Sequence, residues 1–327
     1  MAGTGLRLPA GSALAGSEWL AVAGVDLTSG RGDALIRAAA PLDELAALEL
    51  AGAWLAQEER AVWDGGRLRT ERVRRLGAIT LAATPGPPPG PQAVADAVVE
   101  RVRAKGADAG LVVLPWDEEA RSLRARLALL HEHLGEPWPD VSDAALADRA
   151  EEWLAPAVMS LAGRAGGSSG LAGSISSGSG NRRFSLERLD VAEALRALLP
   201  WPQAAHLGEL VPERIEVPSG SQVRVDYTAA GADSAQIGQA GRPVLAVRVQ
   251  ECFGWATTPR IVQGRVAVQL HLLSPARRPV AVTDDLASFW EQGYPQVRAE
   301  MRGRYPKHAW PEDPWNTPAT RGTGRRR

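Results

Sequence analysis

Residues 60–91 read RAVWDGGRLRTERVRRLGAITLAATPGPPPGP, and this stretch decides how the chain divides. Arg60 to Asp64 is a strand-like run, Gly65-Gly66 supplies a turn, and Arg67 to Ala83 returns to strand. Pro85 to Pro91 then holds only proline and glycine. Proline has no N–H to give a ladder and favours the extended polyproline conformation, so this heptad reads as a stiff connector. The hydrophobic period is two before it and close to 3.6 after it.

On the N-terminal side, Leu6 to Pro9 is short and extended. Glu18 to Asp26 (EWLAVAGVD) sets Trp19, Ala21, Ala23 and Val25 against Leu20 and Val22. Asp33 to Ala40 follows the turn-forming Ser29-Gly30-Arg31-Gly32. Asp43 is placed to cap a helix whose buried side is marked by Leu45, Leu48 and Leu55. Five strands with a helix between the third and fourth is the order of an OB-like β-barrel, which is the expectation for residues 1–84. Residues 85–91 form the Pro/Gly linker.

On the C-terminal side, residues 92–211 are expected to be helical. Val94, Val98 and Val102 mark a helix stopped by Gly106. Asp117 caps a helix bearing Leu123, Leu127, Leu130 and Leu134, and Ser142 caps one bearing Leu146, Trp153 and Leu154. Residues 163–183 (GRAGGSSGLAGSISSGSGNRR) are too rich in Gly and Ser to pack, and predict a flexible segment. Asp190 and Glu193 form a capping pair before Leu195, Leu198 and Leu199. Residues 212–327 turn to β again through RIEV (214–217), QVRVDY (222–227), PVLAVRVQ (243–250), RVAVQLHLL (265–273) and PVAV (279–282). Thr283 is placed to cap a last helical stretch through Leu286, Phe289, Trp290, Val297 and Met301. The fold class is therefore α+β: an N-terminal OB-like barrel, a central helical segment, and a C-terminal mixed β-sheet with terminal helices and a basic tail.

Composition sets limits on function. The 327 residues are 45% hydrophobic and 23% charged, ordinary globular values that exclude wholesale disorder. A net charge of −1 excludes a uniformly basic nucleic-acid protein but not local patches. The single cysteine, Cys252, excludes a disulfide scaffold and a Cys-rich zinc site. No apolar run reaches the length of a membrane span, and the N-terminus lacks a signal pattern, so a cytoplasmic protein without membrane partners is expected. Only Lys105 and Lys307 among the 37 basic residues are lysine, as a GC-rich coding sequence would give. Eleven tryptophans against three Phe and three Tyr read as core or interface anchors, or as stacking platforms.

Catalytic motifs are not found. A phosphate-binding G-x-x-x-x-G-K-[ST] loop is ruled out because Lys105 precedes Gly106 and Lys307 precedes His308. No cofactor is expected on this chain, and ATP with magnesium only through a separate core. His131-Glu132-His133 puts its imidazoles two apart on a helix, on different faces, which a metal does not favour. His271 alternates within a strand, Cys252 lies in an apolar run, and Asp284-Asp285 follows Thr283 at a helix start, so each has a structural reading. Two basic patches carry the candidate nucleic-acid contacts. Residues 60–75 hold six arginines against Asp64 and Glu71, a local +4, and Arg67, Arg69, Arg72 and Arg74 are the candidate backbone-tracking residues. Near the C-terminus, Arg302, Arg304 and Lys307 are interleaved with aromatic residues, and Trp310 is the candidate base-stacking platform. The same segment suits a docked one anchored by Trp310 and Trp315.

MRGRYPKHAWPEDP (301–314) resembles the C-terminal signature of the HrpB-type DEAH-box ATP-dependent RNA helicases. The resemblance extends through LPAGSALAGSEWLAVA (8–23), VRRLGAITL (73–81), EPWPDVSDAALADRAEEWLAP (136–156), ALRALLPW (194–201), VPSGSQVRVDY (217–227), PVLAVRVQECFG (243–254) and HLLSPARRPVAVTDDLASFW (271–290). It covers nearly the whole chain. It implies an accessory half of such a helicase: an OB-like part lining the RNA exit, followed by the family's C-terminal extension. Family members also carry two RecA-like domains with the phosphate-binding loop, the DEAH box and the arginine finger. No position here matches those motifs, so no catalytic residue carries over and the chain alone is expected not to hydrolyse ATP. Three functions compete. The first is a module binding single-stranded RNA, with a RecA-like core as partner. The second is an interaction fragment of a split or truncated helicase without RNA affinity of its own. The third is an independent enzyme, for which the spacing of His271, Asp284 and Asp285 gives no support.

Overall fold

The computed structural model describes residues 5–26, 33–64, 67–104, 110–166, 184–228 and 242–322. The protein is α+β and divides into two compact units, one drawn from residues 1–97 and 162–185, the other from 98–161 and 186–327. The turns at 29–32 and 65–66, Gly106, and 167–183 of the Gly/Ser segment lie outside the described residues. Residues 163–166 of that segment close a helix.

In the first unit, β1 (Leu6–Arg7) runs parallel to β3 (Ala34–Leu42), which pairs antiparallel with β2 (Trp19–Asp26). Asp43 caps α1 (Glu44–Leu50), its carboxylate accepting from the Ala46 N–H at 2.8 Å. Then β4 (Leu55–Asp64), β5 (Arg67–Leu76) and β6 (Ile79–Pro85) form an antiparallel meander. The sheet orders are β1-β3-β2 and β4-β5-β6, and no closed barrel exists among the described residues, which corrects the OB-like expectation. The reason lies in 67–83, which is two strands rather than one. The chain reverses at Gly77, whose φ of +59° suits glycine, and β6 then occupies the second edge of β5. Both central strands, β3 and β5, are saturated by neighbours close in sequence. The inward side of α1 is also smaller than expected. Ala47 and Ala51 are buried, whereas Leu45 is 81% and Leu55 42% exposed.

Beyond the Pro/Gly stretch, α2 (Pro91–Arg103) buries Val94, Val98 and Val102. The long helix α3 (Glu118–Leu134) is capped by Asp117 and buries Leu123, Leu127 and Leu130, while Leu134 is half-buried. Then come α4 (Asp143–Asp148, capped by Ser142), α5 (Ala150–Trp153), α6 (Ala155–Gly166), α7 (Val191–Arg196, capped by Asp190) and α8 (Leu207–Leu210). The second unit's sheet has the order β13-β12-β9-β8-β7, built from β7 (Arg214–Glu216), β8 (Gln222–Asp226), β9 (Val244–Arg248), β12 (Gln269–Leu273) and β13 (Pro279–Thr283). Its one parallel pairing is β12 with β9. β10 (Arg260–Ile261) and β11 (Val266–Ala267) make a separate small hairpin. The chain then enters α9 (Leu286–Ser288), whose cap is Asp285 rather than Thr283. Asp285 accepts from the Ser288 N–H at 3.1 Å, and Thr283 instead holds the Asp285 N–H. One π turn leads from α9 to α10 (Tyr294–Arg304), packing Phe289, Trp290 and Tyr294 with Phe253 at ring separations of 5.1–6.4 Å.

Helices and sheet of this unit are tied together, where the sequence pattern had set 92–211 apart from 212–327. Two arginines on α3 are nearly sealed, Arg124 at 2% and Arg126 at 5% exposure. Arg126 donates to the Val211 carbonyl at 2.8 Å and to Glu213 at 2.9 Å, just before β7. Arg124 donates to the Val141 carbonyl and Asp143, and lies 5.1 Å over the Trp116 ring. Cations in these positions are tolerated because each is held by charge-assisted hydrogen bonds to a carbonyl and a carboxylate. Arg126→Ala strands a buried carbonyl, and we expect it to lower stability by about 3 kcal/mol, read as a fall in the urea midpoint of the full chain. An unchanged midpoint would show that the join is carried elsewhere.

Candidate nucleic-acid interface

β4 and β5 decide how much positive charge the first patch presents. Their register sets Glu59 opposite Arg72, Arg60 opposite Glu71 and Asp64 opposite Arg67. Arg69 pairs with Asp64 at 2.9 Å, Arg72 with Glu59 at 3.2 Å and Arg75 with Glu58 at 3.1 Å. Over residues 55–76, six arginines face four carboxylates, so the hairpin carries +2 rather than the +4 of 60–75 alone. These pairs are well exposed, and a polyanion can compete for the arginines at little cost. The period of two puts Arg72 and Arg74 on one exposed face, across the strand from buried Val73, and Arg69 on the other. Arg74 has no acidic partner among the described residues. Glu58 and Glu59 were the residues missed from sequence, because only the strand register brings them against the arginines.

Arg302 and Arg304 lie in the last turn of α10, where the helix end favours cations, and both are exposed, as is Lys307. None of the three has an acidic partner among the described residues. Trp310 does not join them as a platform. It is 7% exposed, its indole N–H donates to the Tyr305 carbonyl at 3.1 Å, and its own carbonyl accepts from Arg298 at 3.0 Å. Packed in this way, the ring offers no face to a base, and the segment is docked on its own domain. The terminal arginines 325–327 lie outside the described residues.

Three of the strings behind the resemblance converge. Glu251, 5% exposed, accepts from Arg248 at 2.7 Å and from the Ser219 hydroxyl at 3.0 Å. Arg321 donates to the Ser219 carbonyl, the Thr320 N–H to the Gln250 carbonyl, and the Gly254 N–H to the Pro314 carbonyl, each at 2.9 Å. Gly220, at φ +74°, leaves room that a Cβ would fill, 2.9 Å from the Arg321 guanidinium. The sequence signal for Glu251 was a carboxylate inside the apolar run VQECFG.

The remaining candidates have structural partners. His131 Nδ1 sits 2.8 Å from the Trp138 carbonyl, and no metal-holding group occurs among the described residues. His271 contacts Gln269 at 3.2 Å, and Asp284 pairs with Arg242 at 2.9 Å. Cys252 is fully buried, and burial pushes its thiol far above the ordinary range. No helix among the described residues is long and apolar enough to cross a membrane.

Residues 176–314 match the family described as ATP-dependent helicase C-terminal, HrpB_C. With the whole-chain likeness that follows, this makes the chain similar to the C-terminal region of the HrpB-type helicases. The ATP-dependent RNA helicase HrpB of Escherichia coli (strain K12) is 36% identical over 324 residues, which is 98% of this chain and 36% of that protein. The crystal structure of the E. coli DExH-box NTPase HrpB superposes with a TM-score of 0.60 at 36% identity, covering 97% of this chain and 36% of that one. That of the Escherichia coli DEAH/RHA helicase HrpB gives 0.54 at 32% identity, covering 93% and 34%. The chain therefore spans about a third of the length of these relatives.

The Glu251 cluster makes a pH prediction. Burial alone would raise this carboxyl, but hydrogen bonds from Ser221, Arg248 and Ser219 outweigh it and hold the group below the ordinary glutamate range. The ionised form thus stabilises the fold above the unfolded pKa of about 4.3, and that contribution is lost as pH falls through and below it. Glu251→Gln should lower the melting temperature at neutral pH and flatten its fall toward pH 3, in melts run beside the parent. Parallel acid limbs in the two proteins would refute the assignment.

Proposed function

We propose that this chain is the accessory, nucleic-acid-binding C-terminal portion of an ATP-dependent RNA helicase of the HrpB type. It contacts single-stranded RNA through Arg67, Arg69, Arg72 and Arg74 of the β4–β5 hairpin and through Arg302, Arg304 and Lys307. The observation that carries this reading is the exposed Arg72–Arg74 face in a chain alike, over 98% of its length, to an RNA helicase. Exposed arginines on a strand track a phosphate backbone without reading sequence, which suits a strand passing through. ATP hydrolysis, in this reading, belongs to a RecA-like core, and no ATP or magnesium is held by these residues. The site of action is the cytoplasm. A second reading, an interaction part without RNA affinity of its own, is favoured by Leu45, Leu50 and Trp54, which stand 81%, 77% and 55% exposed.

One binding experiment separates the two. Anisotropy of a short labelled single-stranded RNA should report binding that weakens steeply between about 50 and 200 mM salt, by counterion release. Arg72→Ala/Arg74→Ala should bind several-fold more weakly, with the slope of log affinity against log salt reduced by about one for each phosphate no longer neutralised. No binding at either salt by a folded chain would overturn the RNA-binding reading in favour of the docking one.

A further inference from the structure

A cleft of about 340 Å³ opens in the second unit between the first turns of α3 and the C-terminal end of β8. Its walls are Glu118, Arg121 and Ser122 on one side and Arg224, Asp226 and Thr228 on the other. The volume lies at the lower end of the range for small-ligand sites.

The hydrogen-bonding inventory of the cleft is lopsided. Both carboxylates already have partners. Glu118 is 2.6 Å from Arg224, and one oxygen of Asp226 accepts from both the N–H and the hydroxyl of Thr228, each at 2.8 Å. Arg121 is exposed and has no acceptor among the described residues. Arg224 uses one of its five N–H donors on Glu118, which leaves donors to spare. The unspent donors are thus one whole guanidinium and most of a second, against one unengaged oxygen on each carboxylate. Planar guanidinium forks across a narrow cleft match the tetrahedral oxygens of a phosphate better than a metal ion or a neutral ligand.

From this we propose that the α3–β8 cleft is a phosphate-binding site, with Arg121 as its principal ligand and Arg224 as its second. The phosphate has two possible sources, the backbone of single-stranded RNA or a free phosphate group. The site stands on its own geometry. Only the RNA source rests on the function proposed above.

The test uses the full chain, as the parent, Arg121→Ala and Arg72→Ala/Arg74→Ala. Arg121 is exposed and makes no contact that the fold requires, so its variant should melt with the parent in phosphate-free buffer. Two probes are applied, a labelled single-stranded RNA 12-mer and inorganic phosphate alone. If the backbone is the source, Arg121→Ala binds RNA about three- to ten-fold more weakly, its salt slope falls by about one unit, and inorganic phosphate competes poorly. If free phosphate is the source, millimolar phosphate raises the melting temperature of the parent but not of Arg121→Ala, and RNA affinity is unchanged. Weaker RNA binding by Arg121→Ala with none in the β5 variant supports the cleft and removes the hairpin. The reverse, with no phosphate-dependent difference in melting, overturns the cleft and leaves the hairpin standing. If neither probe distinguishes Arg121→Ala from the parent, the proposal is wrong.

Discussion

Arg126 is a cation on the buried face of α3, held by a carbonyl and a carboxylate that immediately precede the second unit's sheet. An unpaired charge there would cost several kcal/mol, so the position of the strand entry is constrained by the requirement to supply both acceptors. Arg124, two residues earlier, imposes the same demand on Val141 and Asp143. The helix can settle only where both sets of acceptors arrive together. The apolar residues of α3 supply the larger share of burial, but they are tolerant of small shifts, and the two arginines are not. Placement of β8 against the start of α3, and hence the cleft between them, follows from that demand.

The surface charge obeys a comparable rule in two dimensions. A count along residues 60–75 sees an arginine cluster, whereas the β4–β5 ladder sees an alternation of opposite charges across strands. Such pairing keeps six arginines on one hairpin without strong self-repulsion. It also stores cations in a form that a stronger anion can take over. The net charge of the whole chain, −1, conceals this arrangement entirely.

Much of the secondary structure was legible because its signals are local. Asp43, Asp117, Ser142 and Asp190 each cap the helix they were expected to cap, since the N-terminal N–H groups of a helix require an acceptor within a few residues. The strands of the five-stranded sheet followed from alternation, whereas the expected run 265–273 divides into β11 and β12, and β10 was not foreseen. What was not legible depended on partners distant in sequence. The reversal at Gly77, which converts an apparent barrel strand into a hairpin, is a single residue in an unbroken β-like run. Burial of Trp310 depends on Tyr305 and Arg298, which no periodicity ties to it. The candidate arginines were found by composition, but their pairing with Glu58, Glu59 and Asp64 needed the register. Glu251 was passed over in favour of its neighbour Cys252, because the Ser219 hydroxyl that helps hold it comes from about 30 residues earlier.

Cys252 is the one thiol in the chain, and it is sealed against solvent with its ionisation strongly suppressed. Thiol-directed reagents attack the thiolate at an accessible sulfur, so the folded native chain is effectively blank to them. A cysteine introduced at any exposed position would therefore be labelled alone, with no need to remove the natural one and disturb the core around Phe253. The protein comes ready for fluorophores, spin labels and cross-linkers, and a distance between its two units could be measured with only two added residues.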